Sequence, residues 1–272
     1  MSAESLYTAL RAQLGQTQGL GRELVCLDCI DSTNSYLKRA AEDGAEEGLV
    51  VVAEEQTNGR GRRGRSFTSL RGKGVFLSLL MRPAGIPPER LACLTALTAV
   101  AVCRGIETVC PAAMGIKWTN DLILHGKKLG GILVEMTTDR RTGQVQALIA
   151  GIGLNVSQQG TDFSPEVAEL ATSLRQELGT AVSRPALIAA IVREMESVYR
   201  HLLQDDTEAE WLEYRRRCVT LGKEVCVQDA PPRLVFAEDV DRTFGLVVRE
   251  ADGSSSVIRF GEVSVRGLGG YV

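Results

Sequence analysis

Histidine is scarce: the 272 residues contain two, His125 and His201. A zinc centre would need a second ligand pair beside Cys26-x-x-Cys29, and two isolated histidines do not provide it. A basic excess is also lacking. Lys+Arg total 31 against 34 Asp+Glu, a formal net charge of −3 and a pI near 5.6. A chain whose main business is coating nucleic acid carries the opposite bias. No stretch approaches about 18 consecutive apolar residues, which argues against a transmembrane helix. The longest apolar tract, Leu91 to Cys103, is broken by threonines and reads as a buried helix. Met1-Ser2-Ala3-Glu4-Ser5 lacks a basic segment leading into an apolar one, so no signal peptide is evident. No internal repeat, low-complexity segment or extended linker interrupts the chain. The seven cysteines are an odd number in mostly apolar contexts, which fits a cytosolic protein with buried free thiols. Cys26 and Cys29 have redox-motif spacing, but they fall in the strand-like run Glu23–Ile30 and read as packing cysteines.

What is present has the texture of an α+β protein. A strand over 23–30 is followed by Asp31-Ser32-Thr33-Asn34, four good helix caps in a row. The helix after them carries Tyr36, Leu37, Ala40 and Ala41 on one face and stops near Gly44. Leu49–Ala53 and Val75–Met81 read as strands, and Pro87-Pro88-Glu89 opens a long helix through about Arg104. Met114–Trp118, Asp121–Leu124, Leu129–Met136 and Gln144–Val156 are strands without intervening helices, with turns at His125–Lys127 and Arg141–Gly143. That part of the sheet is therefore antiparallel or mixed. Residues 165–179, 184–204 and 207–218 read as helices. After Leu221-Gly222, short strands at 224–228, 234–236, 244–248, 257–260 and 263–265 suggest a small β-barrel-like domain of about 50 residues. The division is 1–219 and 220–272.

The chemistry-bearing residues come in clusters. Gly59-Arg60-Gly61-Arg62-Arg63-Gly64-Arg65 alternates guanidinium groups with glycines in an acidic chain, a flexible cationic loop able to close around an anion. A mobile surface loop and an RGG-like RNA contact are the competing readings; RGG segments repeat and interleave aromatics, and here Phe67 is the nearest aromatic ring. Asp31–Asn34 is a helix cap or a set of donors for a polar ligand head. Lys117-Trp118-Thr119-Asn120-Asp121 places an ammonium, an amide and a carboxylate between strands, and Asp121 could help hold Mg²⁺. Lys127-Lys128-Leu129-Gly130-Gly131 carries a lysine into a strand whose glycines admit close approach. Gly151-Ile-Gly-Leu-Asn155 resembles half of a dinucleotide fingerprint, a weak signal; Asn155 could instead read an adenine edge or ribose.

The order of these segments, with Glu54–Arg65 and Gly72-Lys73-Gly74 between the first and the lysine motifs, closely resembles the biotin protein ligase family over about residues 23–160. The β domain after 220 is similar to that family's C-terminal domain. The resemblance implies a central mixed/antiparallel sheet flanked by helices, of the class II synthetase-like biotin/lipoate ligase type, with a small C-terminal SH3-like β-barrel. It implies an ATP-dependent, AMP-forming ligase that converts biotin and MgATP to biotinyl-5′-AMP. The biotin is then passed to one lysine of a biotin carboxyl carrier protein, such as that of acetyl-CoA carboxylase. Carried over by motif, Lys128, Arg62 and Lys117 are catalytic. Ser32, Thr33, Asn34, Gln56, Arg60, Gly61, Arg62, Lys128 and Gly131 bind biotin. Arg60, Arg62, Arg63, Phe67, Lys117, Asn120 and Asn155 bind nucleotide, and Asp121 is the Mg²⁺ candidate. The loop is expected to order only when ligand arrives, shielding the hydrolysis-prone mixed anhydride from water.

Two positions depart from the family pattern: Thr119 and Ser69-Leu70 stand where proline and serine-proline are common. Many members begin with a DNA-binding domain of about 60 residues; about 22 precede the first strand here, so the resemblance is to the monofunctional type. No DNA or membrane partner is implied, the expected location is cytoplasmic, and a homodimer is compatible with the family's habit of pairing sheet edges. A lipoate–protein ligase is the alternative of the same chemistry, and an RNA-binding module the alternative of a different class.

Overall fold

The computed structural model describes residues 1–15, 17, 19–139, 144–228 and 231–259, together with the backbone of 265–267. In chain order the elements are α1 (Ala3–Leu14), β1 (Glu23–Leu27), α2 (Thr33–Glu42), β2 (Leu49–Ala53), β3 (Gly74–Met81), α3 (Pro88–Leu91), α4 (Leu94–Val109), β4 (Gly115–Lys117), β5 (Asp121–Leu124), β6 (Lys127–Thr138) and β7 (Val145–Asn155). They continue with α5 (Pro165–Ala168), α6 (Leu174–Leu178), α7 (Arg184–Leu203), α8 (Glu208–Arg217), β8 (Lys223–Val227), β9 (Arg233–Val240), β10 (Leu246–Arg249), β11 (Ser255–Ile258) and β12 (Val265–Gly267).

The first seven strands form one sheet in the order β1-β2-β3-β7-β6-β5-β4. β1 and β2 are parallel; the other neighbours are antiparallel. The pleat divides the apolar side chains between two faces. Val50 and Val52 of β2, with Val75, Leu77, Leu79 and Met81 of β3, enter the main core under α4 and α7. Leu49, Val51 and Leu80 face the other way and meet Leu37 of α2 in a second, smaller core. Strands buried on both faces lose strict alternation, which is why β2 and β3 read as continuous apolar runs. The stretch Pro88–Val109 is long and apolar enough to cross a bilayer by composition, but α4 packs against α7 and β6 as a core helix. The second sheet is antiparallel, β11-β10-β9-β8-β12, consistent with the SH3-like domain that was expected.

Several elements differ from the sequence reading. α1 was not anticipated, although Leu6, Leu10 and Leu14 bury one face and Ser2 caps it. β1 ends at Leu27, which leaves Cys29 exposed; Cys26 is half-buried and both are free thiols. The helix after Pro87 breaks at Ala92–Cys93 and runs on to Val109. The helix expected over 165–179 splits into α5 and α6, because Leu170–Thr172 hydrogen-bonds the backbone of Lys128: Lys128 N donates to Leu170 O (2.8 Å) and Thr172 N to Lys128 O (2.9 Å). The turn at Arg141–Gly143, Phe260 and Val263-Ser264 lie outside the described residues.

Candidate active site

A cavity of about 150 Å³ opens between the N-terminus of α2, the arginine loop and the ends of β4–β7. Ser32 caps α2, its Oγ accepting from Ser35 N. Thr33 N and Oγ1 both donate to Gln56 Oε1, at 2.9 and 3.1 Å, and Gln56 Nε2 donates to Ser69 Oγ at 2.9 Å. Both ends of the Gln56 amide are thus committed, so its orientation is fixed. Asn34, 4% exposed, donates from Nδ2 to Leu133 O (3.2 Å) and Glu135 Oε2 (2.9 Å) and accepts from Ser78 Oγ (2.6 Å).

Glycines let this polar end sit flat on the sheet. A Cβ at Gly151 would lie 2.2 Å from Asn34 Oδ1, and one at Gly153 would lie 2.9 Å from the Phe67 ring. The Gly-x-Gly of β7 therefore makes room for Asn34 and Phe67 inside a strand; the strand–helix context of a dinucleotide fingerprint is not there.

The other end is cationic. Arg60, Arg62, Arg63, Arg65, Lys117 and Lys128 line the cavity against a single lining carboxylate, Asp121. Arg62 and Arg63 form one 3₁₀ turn with Gly64, and Arg63 and Gly64 both adopt left-handed backbone (φ +58° and +72°), a conformation glycine takes without cost. Burial disfavours the charged guanidinium and holds Arg62 below the ordinary arginine value, with Asp121 partly offsetting that. Lys117 is 7% exposed at the end of β4. Lys128 Nζ donates to Asp121 Oδ1 at 2.6 Å. Lys128 and Gly131 are three residues apart and in a regular strand would face opposite ways. The register between β5 and β6 slips between Leu122 and Ile123, so that Gly130 pairs with Leu122 but Lys128 with Ile123. This bulge turns Lys128 into the cavity, 3.6 Å from where a Gly131 Cβ would stand.

The structure brings together Ser32, Thr33, Asn34, Gln56, Arg60, Gly61, Arg62, Arg63, Phe67, Lys117, Asn120, Asp121, Lys128 and Gly131. Asn155 is not on the cavity wall. It is 6% exposed, donates from Nδ2 to Thr172 O (3.1 Å) and accepts from Gln158 Nε2 (3.0 Å). Its amide fastens the segment before α6 to β7. Glu135 was not among the candidates, yet it gathers Lys38 Nζ at 2.5 Å, Asn34 Nδ2 and, at 3.6 Å, Arg60 Nη1. The signal was available: it lies two residues beyond Leu133 on the cavity side of β6. A second cavity of about 360 Å³, lined mostly by apolar side chains of α3, α4, β6 and β7, lies beyond Arg62 and Arg63.

Among the described residues no group of three or more His, Cys, Asp or Glu is placed to hold a metal. One carboxylate beside a cationic pocket suits an ion that arrives with phosphate oxygens and keeps several waters, as Mg²⁺ does.

The seven-stranded sheet thus carries one cavity with a polar helix cap at one end and arginines and lysines at the other. The chain belongs to the biotin/lipoate A/B protein ligase family, whose profile matches residues 26–155. It is 31% identical over 264 residues to the biotin--[acetyl-CoA-carboxylase] ligase of Mycobacterium tuberculosis, covering 94% of this chain and 93% of that one. It is 42% identical over 185 residues to the bifunctional ligase/repressor BirA of Bacillus subtilis, covering 68% of this chain and 56% of that one. The matched region thus spans little more than half the length of the Bacillus relative. The biotin protein ligase of Aquifex aeolicus, solved with biotin and ATP, superposes with a TM-score of 0.79 at 26% identity over 90% of this chain and 99% of that one.

Proposed function

We propose that this chain is a biotin–protein ligase of the biotin--[acetyl-CoA-carboxylase] type. The observation that carries the reading is the composition of the cavity: six cationic side chains facing one carboxylate at one end, and a fixed Ser-Thr-Asn-Gln cluster at the other. Relatives named as biotin ligases, and the similar structure holding biotin and ATP, support it.

In the first half-reaction a carboxylate oxygen of biotin attacks the α-phosphorus of ATP. A P–O bond forms, the bond to the bridging oxygen breaks, and pyrophosphate leaves with the electron pair. Two anions must be brought together while charge builds on the α-phosphate. Arg60, Arg62, Lys117 and Lys128 screen that repulsion and stabilise the developing charge, and one cavity for both supplies proximity. Mg²⁺ bound with ATP would withdraw charge from the phosphate oxygens, and Asp121 would be its protein ligand. In the second half-reaction the amine of a carrier-domain lysine attacks the acyl carbon and AMP leaves. Ser32, Thr33 and Gln56 hold the ureido ring, Asn34 shapes that end, and Phe67, Arg63 and Asn120 border the nucleotide. The partner is a biotin carboxyl carrier domain.

The test is biotin-dependent exchange of pyrophosphate into ATP, followed by transfer to a carrier domain. Exchange driven by lipoate and not by biotin would move the assignment to a lipoate ligase.

A further inference from the structure

The protein holds the Arg62 guanidinium in a way that anion binding alone does not require. Nη1 donates to Thr119 Oγ1 at 2.6 Å and to Asn120 Oδ1 at 3.0 Å. Both acceptors stand on the connection between β4 and β5, and that connection is a rigid ledge. Thr119 O accepts from the Tyr214 hydroxyl at 3.1 Å, and Asn120 Nδ2 donates to Ile132 O at 3.0 Å. Trp118 is fixed twice, its N donating to Thr220 Oγ1 (2.9 Å) and its Nε1 to Phe244 O (3.0 Å). Tyr214 is fully buried and meets Phe244 edge-on at 5.4 Å. Thr119 itself is 1% exposed.

The other partner in this contact stands on an exposed loop. Arg62 lies in a segment whose neighbouring Arg63 and Arg65 are open to solvent. A side chain from an exposed loop thus meets a hydroxyl on a fixed ledge. Arg62 also borders both cavities.

The chemistry of the acceptors matters. A carboxylate here would bind the guanidinium more tightly and neutralise it, leaving little attraction for an incoming anion. A hydroxyl and an amide oxygen satisfy two N–H groups without a carboxylate in contact, and the nearby Asp121 offsets the positive charge only in part. We propose that Thr119 is a positioning residue: its hydroxyl docks Arg62 on the β4–β5 ledge. This keeps the arginine loop folded over the cavity while its charge stays available to the ligand. The proposal rests on the ligase reading in one respect only, that the docked loop is what retains the acyl-adenylate.

The test uses the full-length chain without ligand. Thr119→Val keeps the shape and removes the acceptor; Thr119→Ser keeps it. Limited trypsin digestion, read by fragment masses, reports opening at Arg60, Arg62, Arg63 and Arg65. Thr119→Val is expected to be nicked there roughly tenfold faster than wild type, the effect of losing one charge-assisted hydrogen bond, and Thr119→Ser at the wild-type rate. Asn120→Asp, which puts a carboxylate beside the guanidinium, is expected to be nicked more slowly and to lower the rate of pyrophosphate exchange. Release of preformed adenylate from Thr119→Val is expected to rise by the same factor as nicking. Wild-type nicking rates in both Thr119→Val and Asn120→Asp would overturn the docking. Were wild type to form no adenylate, the ligase reading would fail while the digestion still decided the Thr119 contact.

Discussion

Lys128 Nζ lies 2.6 Å from Asp121 Oδ1, joined across a β5–β6 ladder that slips by one residue at that point. The slip gives the lysine the same face as the cavity, and the ion pair holds its ammonium among the cavity cations Arg62 and Lys117. Lys128→Ala should therefore abolish most adenylate formation. A loss of roughly 10²–10³ in pyrophosphate-exchange rate is expected for removing a donor aimed at the developing phosphate charge. Near-normal exchange would remove Lys128 from the chemistry.

Most of this site was legible in the chain because its residues form contiguous motifs. Asp31–Asn34 read as caps, and Ser32 does cap α2; the arginine loop and the two lysine motifs do share a cavity. The rest depended on pairings that sequence spacing does not carry. The bulge that aims Lys128 needs the β5 register. The breaking of 165–179 needs the Leu170–Thr172 segment bonded to Lys128. Asn155 looked ready for a nucleotide because its amide partners, Thr172 and Gln158, come from a later loop. Tyr214 and Phe244, which brace the Trp118–Asn120 ledge, are about 95 and 125 residues away from it. α1 could have been read from Leu6, Leu10 and Leu14, a repeat at helical spacing.

Arg62→Gly removes both the docking contact and a cavity cation. It should shorten retention of the adenylate by roughly tenfold or more, the loss of charge-assisted contacts, and so release an acylating agent that labels bystander proteins. Intermediate half-life after rapid gel filtration measures this directly. An unchanged half-life would count against the shielding role.

Glu135 gives a pH signature. Burial raises its carboxyl, but hydrogen bonds from Lys38 and Asn34, with Arg60 nearby, outweigh that and hold it below the ordinary glutamate value of 4.5. A depressed carboxyl adds stability that is present above the unfolded value and lost as pH falls through the folded one. Between roughly pH 5 and pH 3 the wild-type urea midpoint should therefore fall more than that of Glu135→Gln. Parallel curves for the two proteins would show that the cluster contributes nothing.

Phe244 links the second sheet to the ledge under the site. It is 1% exposed and lies edge-on to Tyr214, with its carbonyl accepting from the Trp118 indole. Phe244→Ala should destabilise by roughly 3–5 kcal/mol through the cavity it leaves. Residual folded protein should show weakened ATP use, since Thr119 and Asn120 lose their support. A stability loss with full exchange activity would separate the second sheet from the chemistry.

The central claim is that the six-cation cavity activates the biotin carboxylate with ATP. Pyrophosphate–ATP exchange in the presence and absence of biotin tests it most directly. The account predicts exchange that depends on biotin, needs Mg²⁺, and is followed by labelling of one lysine on a carrier domain. Exchange that is absent with biotin, or that appears with lipoate instead, would contradict it.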